Sequence, residues 1–221
     1  MKLQHLSKWL VVLTGLLIFA FATKSVEAAD KTDGKQFQIF LPLVAAGGAP
    51  VSEAKTPAYE TFAASVADGQ AGVVRGVYAA DVLALRVEQQ PADSPNYIDS
   101  DPEAATQFQT ASFFGVTGLL AHNDLAGEKF FDLAEGQEVR IVYGDGATKR
   151  YSVTRIYRFQ ALDPYSPTTS FVDLGTGATL TTLDVFSMVY MGEDHVTFQT
   201  CIEENGNPSW GRLFVIATLL N

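Results

Sequence analysis

The segment EVRIVYGDGATKRYSVTRIYRF, Glu138 to Phe159, reads plainly as a β-hairpin. Its arms, Glu138 to Tyr143 and Lys149 to Phe159, are rich in β-branched and aromatic residues, and GDGAT between them supplies the glycines of a tight reversal. The same texture of short apolar runs split by turn residues begins near Gly72. VVRGVY (Val73 to Tyr78) and DVLALRV (Asp81 to Val87) read as strands, followed by a loop, QQPADSPNYIDSDP.

DPEAATQFQTAS predicts a short helix, with Asp101 as N-cap, Pro102 in the first turn and Glu103 as a favourable early acid. FFGVTGLLA (Phe113 to Ala121) predicts a buried strand, LAGEKFFDL a helical turn, and LTTLDVFSMVY a second short helix. VTFQTC and RLFVIATL close the chain as two strands, with IEENGNPSWG as a loop between them. About seven to eight strands at this spacing, with only short helices, predict an all-β, closed or nearly closed barrel, and a sandwich is the alternative.

The N-terminus carries an export signal. Lys2 and Lys8 form a basic start, LVVLTGLLIFAFA (Leu10 to Ala22) an apolar core, and VEA a small-residue cleavage site ending at Ala28. Left uncut, residues 1–28 would serve instead as a membrane anchor, although the apolar run is short for a span. In either case the rest of the chain faces the outside. Residues 29–70 read as a tether of small and polar residues, with an apolar island, FQIFLPLV, at 37–44. Pro42 suits that island to an edge strand only. Residues 71–221 form the barrel domain, and the exported chain of roughly 190 residues suffices for one full core.

A formal net charge of −10 argues against a nucleic-acid partner, which needs a basic footprint. No Cys/His metal spacing and no glycine-rich phosphate loop is present, so the sequence calls for no cofactor and leaves calcium dependence open.

The chain has one cysteine, Cys201. Outside the cytosol an unpaired thiol is buried and inert, bridged to another chain, or a working group. In HVTFQTC the period of two sets Val196, Phe198 and Thr200 on one face and Thr197, Gln199 and Cys201 on the other. The thiol therefore shares the polar face of its strand, at the strand end. A nucleophilic thiol needs a base or a positive charge nearby. His195 heads the same extended strand, too far along it to reach the sulfur, and reads as a polar turn residue. His122 stands where a buried strand emerges into a loop. Arg212 heads an apolar, hence central, strand one loop beyond the thiol, well placed for an oxyanion.

This set resembles the sortase family. The family signature is a strand ending in T-L-x-T-C, an arginine opening the next strand, and a histidine much earlier at the end of a buried strand. Here the motif reads TFQTC (Thr197 to Cys201), with Phe198 in place of the leucine, then WGRLFVIA with Arg212. His122 in LLAHNDLAGEKFFDLAEGQEVRIVY matches the histidine segment, and YSV at Tyr151 the hairpin that follows. The resemblance runs from about Val73 to Leu219, and the order His, Cys, Arg separates it from papain-like thiol enzymes. Ala121 and Asn123 depart from the usual neighbours of the family histidine, so no subclass is assigned.

The resemblance implies a sortase-like closed β-barrel and a cysteine transpeptidase at the cell surface, secreted or membrane-anchored. Cys201 would attack a Thr–Gly-like bond in a C-terminal sorting signal, His122 would act as acid and base, and Arg212 would hold the oxyanion or substrate backbone. Thr200 would line the site. Implied partners are surface proteins or pilins that carry a sorting signal, and an amine acceptor on the cell wall or a pilin. The competing class is a catalytically inactive secreted β-barrel binding module with an incidental cysteine. A third is an envelope protein bridged to a partner through Cys201.

Overall fold

Short strands alternate with tight turns from Val74 to the end of the chain, in a computed structural model that describes residues 56–166 and 168–221. The expected leader, and the apolar island at 37–44, lie outside the described residues. The ten strands are β1 (Val74–Ala79), β2 (Leu83–Gln89), β3 (Ala104–Gln107), β4 (Thr117–Leu120), β5 (Glu138–Tyr143), β6 (Thr148–Ala161), β7 (Phe171–Asp173), β8 (Thr179–Leu180), β9 (His195–Glu204) and β10 (Asn207–Leu219). Three α-helices join them, α1 (Tyr59–Val66), α2 (Gln109–Ser112) and α3 (Thr182–Tyr190), with a 3₁₀ helix at Ala126–Asp132.

Eight of the strands close into a barrel. The order is β10-β9-β4-β3-β2-β1-β5-β6, and β6 returns to pair with β10, so no long edge stays open. β7 and β8 extend β6 outward as a short flap of sheet. Two neighbouring pairs run parallel, β2 with β3 and β4 with β9, and the others are antiparallel.

Alternation sorts the side chains. Val77, Leu85, Leu119, Ile141, Tyr151, Phe198, Leu213 and Val215 fill the barrel interior. The 3₁₀ helix adds Phe130 to that core, edge-on to Phe198 with ring centroids 5.1 Å apart. Burying a side chain of this size is worth roughly 1.5–3 kcal/mol. A second apolar layer lies outside the barrel, where α3 covers β10 and β9. Tyr190 packs against Phe214 and Phe108, at centroid distances of 6.1 and 5.3 Å.

The helix α3 begins with a capping box. Thr181 Oγ1 accepts from Asp184 N–H, and the Asp184 carboxylate accepts from Thr181 N–H. At its other end the chain turns back into β9 through His195, which is buried rather than a surface turn residue. Its two ring nitrogens lie 2.7 and 3.0 Å from the carbonyl oxygens of Glu193 and Val189.

Three expectations are corrected. Residues 101–107 are a turn and a strand, not a helix. Asp101 does accept from Glu103 N–H as a cap would, but Ala104 to Gln107 are drawn into the gap between β2 and β4, where Ala104, Ala105 and Thr106 are buried. Only α2 remains of the expected helix. The tether read through residue 70 already contains α1, which seats Phe62 against Tyr78 and Val142. Gly76 makes the docking possible, because a Cβ there would lie 2.9 Å from both Phe62 and Val66. Finally, IEENGNPSWG is not a loop. β9 and β10 continue through it to a two-residue turn at Asn205 and Gly206, both at positive φ (53° and 76°). Pro208 is accommodated where the ladder shifts register between Asn207 and Gly211.

Candidate active site

Cys201 lies within β9, not at its end, and is half-buried. Its face is set by alternation: Val196 and Phe198 point into the barrel, so Thr197, Gln199 and Cys201 point out. On that outer face α3 covers the first two. Thr197 Oγ1 donates to Val189 O, and the buried Tyr190 hydroxyl donates to Gln199 Oε1. Burial pushes the Tyr190 phenol up, which keeps it a donor. The helix stops short of Cys201, the first residue of the outward row that is not enclosed.

Arg212 is the direct cross-strand partner of Cys201 in the β9–β10 ladder, so the two share the outer face. It is the sixth residue of β10 rather than its opening residue, and only 3% of it is exposed. Its Nη1 donates to Ser209 O at 2.9 Å and to Gly211 O at 2.7 Å, which anchors the guanidinium at the register shift. Gly211 is required there, because a Cβ would meet Phe159 O at 2.5 Å. A guanidinium stays charged in a protein, so the outer face holds a fixed cation beside the thiol.

His122 follows the strand on the other side of β9. β4 runs parallel to β9 with Leu119 opposite Phe198 and Leu120 opposite Gln199. The pairing continues past the strand end: Ala121 N–H donates to Gln199 O at 3.2 Å, and Thr200 Oγ1 donates to Ala121 O at 2.9 Å. Beyond these bonds the chain leaves the ladder, and His122 stands on the loop that follows β4 at the end of its pairing with β9. The histidine is exposed, and the next residue ties its loop to the hairpin, with Asn123 Nδ2 donating to Pro208 O at 3.5 Å. Cys201 and Arg212 thus share one rung of the β9–β10 ladder, and His122 follows the strand that flanks β9 on its other side.

Thr200 is placed differently from the expectation that it lines the site. It is buried, on the interior side with Val196 and Phe198, and its hydroxyl is engaged by Ala121 O. Beside it sits Gly127, which the sequence reading did not single out; its close approach to Thr200 and to the His122 backbone has no signature in the chain. Among the described residues no cluster of three or more His, Cys, Asp or Glu is arranged to hold a metal ion.

Chemically, the outer face offers a thiol with a fixed cation directly across the ladder, and an imidazole on the loop that follows the neighbouring strand. It can form a covalent acyl intermediate and hold the charge that develops on a carbonyl oxygen.

No protein-family model and no curated protein sequence matches the chain. Its structure is similar to solved sortases. Sortase A of Listeria monocytogenes is 13% identical over 67% of this chain and 88% of that one, with a TM-score of 0.43. Sortase C1 of Streptococcus suis is 16% identical over 67% and 73%, with a TM-score of 0.45. Sortase C-1 of Actinomyces oris is 14% identical over 78% and 86%, also at 0.45. The closed eight-stranded barrel itself rests on the chain's own strand pairing.

Proposed function

We propose that the chain is an extracytoplasmic cysteine transpeptidase that cleaves a C-terminal sorting signal and transfers the acyl part to an amine at the cell surface. What supports this reading is the pairing of Cys201 with Arg212 across β9 and β10, with the thiol only half-buried, and the place of His122 on the loop that follows β4, the strand on the other side of β9.

In the first half-reaction the Cys201 thiol gives its proton to the His122 imidazole, and the sulfur attacks the carbonyl carbon of the scissile bond. Arg212 holds the negative charge that gathers on the carbonyl oxygen. Collapse breaks the C–N bond, His122 returns the proton to the departing nitrogen, and a thioester remains on Cys201. In the second half an amine attacks the thioester and His122 takes its extra proton; cleavage of the C–S bond releases the sulfur as thiolate, which recovers that proton from His122 as the thiol. Water in place of the amine releases the acid, so the same site would act slowly as a protease.

The substrate would be a surface protein or pilin with a sorting signal, and the acceptor an amine of the cell wall or of a pilin. The leader-like N-terminus supports export and, if retained, attachment to the membrane. No described helix is long and apolar enough to cross a membrane.

The test is capture of a labelled LPxTG-like peptide. The full chain should gain the mass of the acyl fragment on Cys201, and Cys201→Ala should gain nothing. Capture that survives in Cys201→Ala, or none by the unaltered chain with a panel of sorting peptides, would reject the reading.

A further inference from the structure

His122 lies outside any regular strand, yet its carbonyl and the peptide groups of Ala121 before it are hydrogen-bonded. Ala121 N–H is bound by Gln199 O, and Ala121 O by the Thr200 hydroxyl. The carbonyl of His122 itself accepts from Leu125 N–H at 3.1 Å and from Gly127 N–H at 2.9 Å. These bonds come from two directions. Thr200 reaches out from the barrel interior, and the turn leading into the 3₁₀ helix closes from above.

Gly127 is where the two meet. A Cβ built on it would lie 2.6 Å from His122 O and 2.9 Å from Ala121 O, and would collide with Thr200 Oγ1. Two of these three obstacles are backbone carbonyls, which cannot rotate aside as a side chain can. Its φ is not in the left-handed region, so the position demands glycine for space rather than for backbone conformation.

We infer that Gly127 and Thr200 form a clasp that fixes the imidazole of His122 against Cys201, with Gly127 as a positioning residue of the transpeptidation proposed above. The inference rests on that reading. An alanine at 127 would separate the 3₁₀ turn from the Ala121–His122 peptide and carry the imidazole away from the sulfur. Loss of the Thr200 hydroxyl would release the same peptide from the other side. Thr200 therefore acts through His122, not through substrate.

The lone cysteine makes the test direct, because alkylation by iodoacetamide reports on Cys201 alone. Alkylation rates of the full chain are followed between roughly pH 5 and 9, the range in which imidazole and thiol titrate. His122→Ala should remove the histidine-dependent inflection of the profile. Gly127→Ala and Thr200→Val should reproduce the His122→Ala profile, and Thr200→Ser, which keeps the donor, should match the unaltered chain. Peptide transfer should fall about a hundred-fold in the first two, the order of loss expected from a shift of about 1 Å.

Melting curves separate local from global damage, and if Gly127→Ala does not fold the nearly isosteric Thr200→Val decides. Unaltered profiles in both, alongside a changed profile in His122→Ala, would overturn the clasp and leave the proposed reaction standing. An unaltered profile in His122→Ala itself would overturn both.

Discussion

Arg212 faces Cys201 across the β9–β10 ladder with its guanidinium buried and anchored on the carbonyls of Ser209 and Gly211. The cation is therefore preorganised, as a group that must receive charge without rearranging should be. Lysine cannot copy this, since its ammonium is a single point on a flexible stem, whereas the guanidinium is a planar, rigid fork already fixed through Nη1. Arg212→Lys should lower thioester formation by about 10²–10³-fold. Alkylation of Cys201 by a small reagent, which builds no oxyanion, should change far less, and comparing the two rates checks the assignment.

Glu138 sits between Arg150 and Arg140 at the start of the hairpin, and the Arg150 bond, followed by that from Arg140, holds its carboxyl down to about 2 from the ordinary 4.5. The folded state thus binds a proton on Glu138 less readily than the unfolded chain. The stabilisation is complete above pH 4.5 and is lost as the pH falls through about 2. Glu138→Gln should flatten the acid limb of a stability–pH curve by lowering its neutral part, modestly because the pair is partly solvated, and leave stability below about pH 2 unchanged. Urea unfolding at a series of pH values measures this.

Gly118 lies in β4 beneath both outer helices. A methyl there would stand 2.9 Å from Ala111 Cβ, 3.0 Å from Tyr190 Cε1 and 3.1 Å from Phe108 Cβ. Gly118→Ala should cost about 1–3 kcal/mol by overpacking, read as a lower midpoint in denaturant.

Tyr190→Phe removes the only hydroxyl shown to donate to Gln199 Oε1, in a place 5% exposed at most. A buried acceptor left without a donor costs about 1–3 kcal/mol, so the melting temperature should drop. Cys201 alkylation in the folded variant should keep its rate, since the bond lies two residues away on the covered part of the strand.

Much of this fold is legible locally. The runs of β1, β2, β5, β6, β9 and β10 announce themselves by composition and alternation, and Thr181 with Asp184 marks the start of α3. The failures share a cause. Asp101-Pro102-Glu103 is a sound helix start, and its cap bond does form, but Ala104 to Gln107 have neighbours in β2 and β4 that no local rule can see. Asn205-Gly206 is a strong hairpin turn, masked in the sequence by the acids before it and Pro208 after it. For the site, the period of two already put Cys201 on the outer, polar face. The same period put Thr200 on the inner face with Val196 and Phe198; what the sequence could not supply was the parallel pairing of β4 with β9 and, with it, Ala121 as the partner of the Thr200 hydroxyl.

That parallel pairing also dictates an order of assembly. A chain threaded outward from its N-terminus exposes His122 well before Cys201, and β10, which carries Arg212, must slot between β9 and β6 before the ring can close. The β9–β10 contact is a local hairpin, but β10 with β6 and β4 with β9 join segments far apart along the chain, and such contacts form slowly and late. Until they do, β6 presents a bare edge. The ring is thus sealed only when the last long strand of the chain has been laid down.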